Sequence, residues 1–260
     1  MFEPKASFRV ATKYQPLMRE VGLDADGIFK HPQIVSWRKL PDRENCTLDA
    51  SLSDGQFVRL HIKRYQPTKE KITPAEMDIR GHALLEGNKI PTLTMVGWGQ
   101  LSDGRSFSIS ENLTGYEPSD KAIRGGAPFD RLVNPIIDLA AKLHGTGLHH
   151  RDLYLCHFFV KTEGDAIDVR LIDTARVKHL PRFFSRRWIV KDLAQLWYST
   201  LPLPISDEQR KSMLRRYALQ RHLNRVDTLY KSILSKVKKI ARHDAKLNKN
   251  QPTRNVSLTH

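Results

Sequence analysis

The sequence predicts an α+β fold with two lobes, a small β-rich N-lobe and a mainly helical C-lobe. The first observation is the order of the patterns, in which strands, one helix and further strands precede a largely helical half. The second is the length of 260 residues with 40% hydrophobic residues, which suits one large domain or two small lobes with real cores. We expect the N-lobe to span residues 1–112 and the C-lobe residues 113–260.

The N-lobe contains a predicted hairpin, then a helix, then another strand. Ser53-Asp54-Gly55 is a tight-turn signal between the strand-like segments 47–52 and 57–63. A threonine cap and a proline at the first helical position predict a helix from Pro74 to about Glu86. Residues 106–110 are again typical of a strand.

The C-lobe begins with a long amphipathic helix. Apolar residues recur at helical spacing between Asp130 and His144, and two glycines follow. Short strands are expected at residues 158–160 and 169–172, on either side of a turn at Gly164-Asp165. From about residue 186 to residue 246 the pattern is mostly helical.

The positive charge is concentrated in the last third of the chain. Residues 178–260 contain 19 Lys/Arg and 5 Asp/Glu, a net charge of +14 out of the +15 of the whole chain. Such a localised basic surface suits an anionic partner such as phospholipid, phosphorylated glycan or nucleic acid. No run approaches the roughly 18 apolar residues of a membrane span. The segment Met1–Val10 lacks the apolar stretch of a signal peptide, so we expect a cytoplasmic protein.

Two acidic residues are spaced as phosphoryl transfer requires. His150-Arg151-Asp152-Leu153 follows the long helix, and Leu171-Ile172-Asp173 ends a short strand. Asp152 is placed to meet an acceptor hydroxyl, and Asp173 to hold Mg²⁺ on the phosphates of ATP. The hairpin between them is expected to bring both carboxylates to one site. The alternative is a surface ion pair between Arg151 and Asp152.

The N-lobe carries further features of a bilobal protein-kinase-like fold. Lys63, at the end of an alternating strand, resembles the lysine that grips the α- and β-phosphates. Its expected partner is Glu76 on the next helix, with Asp78 and Glu86 as competitors. Glu111 follows the strand 106–110, where a kinase hinge offers main-chain groups to adenine.

The match around Asp152 is closer to one family. The chain resembles the lipopolysaccharide core kinases of Gram-negative bacteria, which phosphorylate heptose or Kdo sugars, over about Val58 to Thr200. The shared segments include a HRD-x-Tyr-x-Cys-His-Phe string, an Ile-Asp followed by Arg, and an Arg-Trp followed by Lys-Asp-Leu. They are His150–Phe158, Ile172–Arg176, Arg187–Leu193, Tyr198-Ser199 and, with Asn88-Lys89 in place of a glycine, Ile90-Pro91-Thr92.

The resemblance implies a role for each matching residue. Asp152 is the expected catalytic base, Asp173 the Mg²⁺ ligand and Lys63 the phosphate grip, while Asp192 would tie its helix to the catalytic loop. His157 occupies the position of the second metal-binding residue of protein kinases, where it either ligates the metal or orients Asp152. ATP and Mg²⁺ are the implied cofactors. No glycine-rich loop precedes the lysine, so residues 40–45 would have to cover the phosphates.

The implied acceptor is the lipopolysaccharide core or another lipid-linked sugar, reached at the cytoplasmic face of the inner membrane. Arg182, Arg186 and Arg187 would attract its phosphates. A basic helix at residues 227–242 could rest on the anionic membrane surface or pack its apolar stripe on the C-lobe, and the two interpretations are compatible. The competing functions are a protein or small-molecule kinase and a non-catalytic module for nucleic acid. The sequence contains no nucleic-acid-binding motif.

Overall fold

The computed structural model describes residues 6–250, so Met1 to Lys5 and the last part of the basic tail, residues 251–260, lie outside the described residues. The chain forms two compact units, one up to Ala83 together with Thr92–Thr114, and one of Leu84–Pro91 together with the chain from Gly115 onward. The boundary predicted after residue 112 did not foresee that Leu84–Pro91, which precedes it, belongs to the second unit. The segment belongs to the second unit because Leu85 and Ile90 are buried in its core.

The first unit is built on a six-stranded antiparallel sheet in the order β1-β5-β6-β4-β3-β2. The strands are β1 (Ser7–Val10), β2 (Ile34–Lys39), β3 (Arg43–Ser51), β4 (Phe57–Tyr65), β5 (Met95–Gln100) and β6 (Ser106–Glu111). The helices are α1 (Gln15–Glu20), α2 (Gly27–Lys30) and α3 (Pro74–Gly87), the last of which ends in the second unit. The predicted hairpin, helix and strand are therefore confirmed.

Strand β4 separates the core of the first unit from its polar face. Leu60 and Ile62 are buried in the cluster that includes residues of α1 and α2. Because side chains alternate along a strand, Lys63 and Tyr65 point to the opposite face. There both contact the buried Asp78 on α3.

The second unit is mainly helical, which confirms the predicted α+β class. Its helices are α4 (Ser119–Arg124), α5 (Phe129–Gly145), α6 (Ser185–Thr200), α7 (Asp207–Gln220) and α8 (Val226–Asn250). Its strands are β7 (Glu117–Pro118), β8 (Leu148–His149), β9 (Phe158–Glu163), β10 (Ala166–Leu171) and β11 (Lys178–His179). They form a three-stranded sheet, β10-β9-β7, and a β11-β8 pair.

The apolar stripe of α8 is part of the core of the second unit. Leu229, Ile233 and Val237 are buried there, and Ile240 packs against the same cluster. Of the two alternatives for this helix, packing on the helical unit is therefore confirmed, and the stripe is covered rather than available to a bilayer. No helix within residues 6–250 has the length and apolar character needed to cross a membrane.

Candidate active site

Helix α6 holds the segment that carries Asp152 through hydrogen bonds. The fully buried carboxylate of Asp192 accepts hydrogen bonds from the backbone N–H groups of His150 at 2.7 Å and Arg151 at 2.9 Å. Burial opposes ionisation of Asp192, but the hydrogen bond and charge of His144 outweigh it and hold the pKa of Asp192 below its ordinary value. The predicted tie between α6 and the catalytic segment is confirmed.

Two residues of the site have a backbone conformation that L-amino acids rarely adopt. Arg151 has φ of 69° and Asp173 has φ of 62°, both in the left-handed region. Such a residue costs about 1–3 kcal/mol and persists only where its surroundings impose it. Lys191 Nζ donates to the carbonyl oxygen of Arg151 at 2.8 Å and, with Asp192, holds this turn.

Asp173 is placed by the residue before it. The Ile172 carbonyl accepts a hydrogen bond from Nε2 of His150 at 3.0 Å, and the Ile172 N–H donates to the carbonyl of His157 at 2.9 Å. Burial keeps the pKa of His150 below its ordinary value, which favours the neutral ring with its proton on Nε2. The catalytic segment and the strand that delivers Asp173 are thus joined directly.

The carboxylate of Asp152 lies between a neutral and a cationic donor. Gln195 Nε2 donates to its Oδ1 at 3.3 Å, and Arg176 Nη1 lies 3.6 Å from the same oxygen. Gln195 also donates to the hydroxyl of Tyr154 at 3.2 Å, which fixes the amide. A half-buried carboxylate held in this way can accept a proton from a hydroxyl group presented to it.

His157 bridges the two acidic residues. Its Nδ1 lies 2.7 Å from the backbone carbonyl oxygen of Asp152, and its Nε2 lies 3.7 Å from Oδ2 of Asp173. A carbonyl oxygen can only accept, so Nδ1 carries a proton and Nε2 faces a carboxylate through either a second proton or a cation. Burial opposes the charged ring, but Cys156, Asp173 and Asp152 outweigh burial and raise the pKa of His157 to about 10.

These three residues form a donor set that fits a divalent cation. One ligand atom each of Asp152, His157 and Asp173 lies within 4.8 Å of the other two. Mg²⁺ prefers oxygen ligands, so the carboxylates suit it better than the imidazole does. The assignment of Asp173 and His157 as metal ligands stays a prediction.

The partner expected for Lys63 is wrong. Lys63 Nζ lies 3.2 Å from Oδ2 of Asp78, whereas Glu76 forms an ion pair with Arg80, one turn further along α3, at 2.6 Å. The physical reason is helical geometry, because residues two positions apart lie about 200° from each other around the axis. Glu76 therefore faces away from β4 when Asp78 faces it.

Asp78 is held in place by two hydroxyl groups. Ser108 donates to its Oδ2 at 2.9 Å and Tyr65 donates to the same oxygen at 3.3 Å. Ser108 is also the residue opposite Lys63 in the β4–β6 register. The lysine thus meets a carboxylate whose orientation is fixed by the sheet itself.

Glu111 is the last residue of β6. Its backbone N–H donates to the carbonyl of Thr94 at 3.0 Å. Burial, and after it the nearby carboxylate of Glu111, raises the pKa of the Tyr14 hydroxyl. The main-chain contact to adenine stays a prediction, and the N–H of Glu111 is already engaged in this structure.

Two members of the site were not assigned a role from the sequence. Gln195 lies three residues after Asp192 on the same face of α6, so helical spacing alone could have suggested it. Arg176 belongs to a motif that carried the resemblance, but its contact with Asp152 depends on the fold of the turn after Asp173.

Known proteins match this chain over the same region. The family model described as "Lipopolysaccharide kinase (Kdo/WaaP) family" matches residues 85–217. "Lipopolysaccharide core heptose(I) kinase WaaP" of Pseudomonas aeruginosa is 26% identical over 204 residues, covering 70% of this chain and 75% of the relative. The protein with the same name from Escherichia coli (strain K12) is 27% identical over 224 residues, covering 75% of this chain and 82% of the relative. The matched region contains Asp152 and Asp173, whereas Lys63 precedes the family match.

Proposed function

This chain belongs to the lipopolysaccharide kinase (Kdo/WaaP) family, and we propose that it transfers the γ-phosphate of ATP to a sugar hydroxyl, on heptose or Kdo, in the inner core of lipopolysaccharide. The names of these relatives support the heptose acceptor. The observation that carries the proposal is the cluster of Asp152, His157 and Asp173, whose ligand atoms lie within 4.8 Å of one another.

In the proposed reaction the chain's own residues orient the acceptor and take its proton. Asp152 accepts the proton of the attacking hydroxyl, while Gln195 and Arg176 keep its carboxylate in position. Lys63 would hold the α- and β-phosphates of ATP, and Asp173, with His157 beside it, would hold Mg²⁺. When bound, Mg²⁺ offsets negative charge on the phosphates.

The decisive test is transfer of labelled γ-phosphate from Mg-ATP to dephosphorylated lipopolysaccharide core. Asp152→Asn keeps the side-chain shape and removes the base, so we expect kcat to fall by about 10²–10⁴-fold. Asp165→Asn, an exposed aspartate at the β9–β10 turn, is the matched control and should retain activity. Label on protein instead of glycan would favour a protein kinase, and full activity of Asp152→Asn would exclude the proposed base.

We also place the protein at the cytoplasmic face of the inner membrane, as a peripheral protein with no nucleic-acid partner. The support is charge and exposure in the loop before α6, where Arg182 adjoins the exposed Phe183, which is 72% accessible. Aromatic and basic side chains together suit an anionic headgroup layer.

Co-sedimentation with vesicles tests the membrane proposal. Phe183→Ala should weaken binding to anionic vesicles about tenfold, since burying a Phe side chain is worth roughly 1.5–3 kcal/mol. Phe57→Ala, at another exposed position in the first unit (60% accessible), should leave vesicle binding unchanged. Equal binding of both variants, or equal binding of the native protein to neutral vesicles, would contradict this attachment.

A further inference from the structure

A cationic cavity lies in the second unit, beside the catalytic segment. Its volume is about 740 Å³, within the range of small-molecule sites. Six of its eleven lining residues are basic and none is acidic. The basic residues come from the catalytic segment, the start of α6 and the middle of α8, and they are Arg151, Arg186, Arg187, Lys191, Lys236 and Lys239.

Most cations of this cavity lack an ion-pair partner in the part of the chain that the structure describes. Within residues 6–250, Arg186, Arg187, Lys236 and Lys239 form no ion pair, and Lys191 donates to a backbone carbonyl rather than to a carboxylate. Burial, followed by the charge of Arg176, lowers the pKa of Lys191, as expected where like charges crowd together. Cations that converge on a cavity without counter-charges are stabilised by a bound anion.

The cavity is lined in part by the residue that precedes Asp152 in the chain. Arg151 lines it and is followed directly by Asp152, whose Cα is about 3.8 Å away along the chain. Trp188 forms part of the wall, and the guanidinium of Arg151 lies 5.1 Å from its ring centroid. Lys191 joins the two regions, because it lines the cavity and binds the carbonyl of Arg151.

We propose that this cavity binds an acidic group of the acceptor glycan, a phosphate ester or a sugar carboxylate, and so selects acceptors that carry such a group near the reacting hydroxyl. The inference rests on the proposed sugar-kinase function and adds the substrate feature that it recognises. Arg186 and Arg187 contribute to the subsite, whereas Arg182, which the sequence grouped with them, does not line the cavity. The α8 lysines, about 50 residues further along the chain, complete it.

The test compares two double variants of α8 that remove equal charge. Lys236→Ala with Lys239→Ala removes both α8 lysines that line the cavity. Lys231→Ala with Lys238→Ala removes two exposed α8 lysines that do not line it. Affinity for deacylated lipopolysaccharide core whose acceptor hydroxyl is free is measured by calorimetry, and KM and kcat are measured with the same glycan. We expect the cavity variant to lose about tenfold per lysine in affinity, the usual effect of a lost hydrogen bond to a charged group. Its kcat should stay within twofold, and the control should match the native protein.

The outcomes separate the subsite from the proposed function. Core that binds the native protein but is not phosphorylated would remove the proposed function and leave the subsite standing. Equal affinity of the two double variants for the core would overturn the subsite. A cavity variant that binds the core normally but loses vesicle binding would also overturn it, because the cavity would then bind a lipid headgroup. Dephosphorylated core and carboxyl-reduced core, assayed separately, identify the acidic group; native affinity for a core stripped of both would also overturn the proposal.

Discussion

Replacing Asp192 with alanine should destabilise the second unit and lower kcat together. The substitution leaves the backbone N–H groups of His150 and Arg151 buried without an acceptor. Each hydrogen bond to a charged group is worth about 1.5–3 kcal/mol, and breaking a buried charge pair typically costs about 3–5 kcal/mol. We therefore expect the free energy of unfolding to fall by about 3–5 kcal/mol.

Urea unfolding followed by the fluorescence of the buried Trp197 measures this loss. Asp138→Ala is the control, because Asp138 also binds an arginine through two hydrogen bonds but is partly exposed, and exposed pairs contribute about 0–1 kcal/mol. The folded fraction of Asp192→Ala should also lose about 10²-fold in kcat, since Arg151 no longer holds its strained conformation. A loss of stability no larger than that of the control would refute the argument.

The same carboxylate predicts a pH dependence. The pKa of Asp192 is lowered by folding, so its stabilising contribution is present above its ordinary pKa of 3.8 and is lost as pH falls through the lowered value. The difference in unfolding free energy between native protein and Asp192→Ala should therefore shrink in strong acid. A difference that stays constant down to complete acid unfolding would contradict the lowered pKa.

Further predictions follow from the other contacts. Asp78→Asn should raise KM for ATP about tenfold or more, because it removes the charge that faces Lys63. Glu76→Gln should leave KM unchanged. Equal effects of the two substitutions on KM would contradict the assignment of Asp78 as the partner of Lys63. Without divalent cations, His157 should stabilise the second unit below pH 6.5, and this stabilisation should be lost as the pH rises to about 10. Urea titrations of His157→Gln should not show this fall in the free energy of unfolding. Gly97→Ala should destabilise the first unit by about 1–3 kcal/mol, since its Cβ would lie 2.7 Å from a backbone oxygen of β1, whereas Gly87→Ala meets nothing within 4 Å; equal urea midpoints would contradict this.

The segment that carries Asp152 could be predicted from sequence because its parts are local. Asp152 and Asp173 are separated by one hairpin, whose turn and short strands have recognisable patterns. The partner of Lys63 could not be predicted in the same way. The three acidic residues of α3 leave the rotation of that helix undetermined from sequence. The packing of α3 on the sheet decides whether Glu76 or Asp78 faces the strand.

The basic tail marks a second limit of sequence reasoning. The apolar stripe of α8 has the same spacing whether it covers a protein core or enters a bilayer, so periodicity does not distinguish the two. The burial of Ile233 in the helical unit does distinguish them. The cationic cavity could not be predicted from sequence either, because Arg151 and Lys239 are brought together only by the packing of α6 on α8.

The spacing of the Arg-Trp and Lys-Asp-Leu motif now has a structural explanation. Residues of α6 that contact the segment 150–155 recur at intervals of three and four, so they share one face of the helix. This face carries both functions at once, since its first members line the cationic cavity and its later members hold the backbone and carboxylate around Asp152. A shift of α6 by one turn would therefore disturb the proposed acceptor subsite and the proposed base together, because one helix positions both. The residues of this face are Trp188, Lys191, Asp192, Gln195 and Ser199.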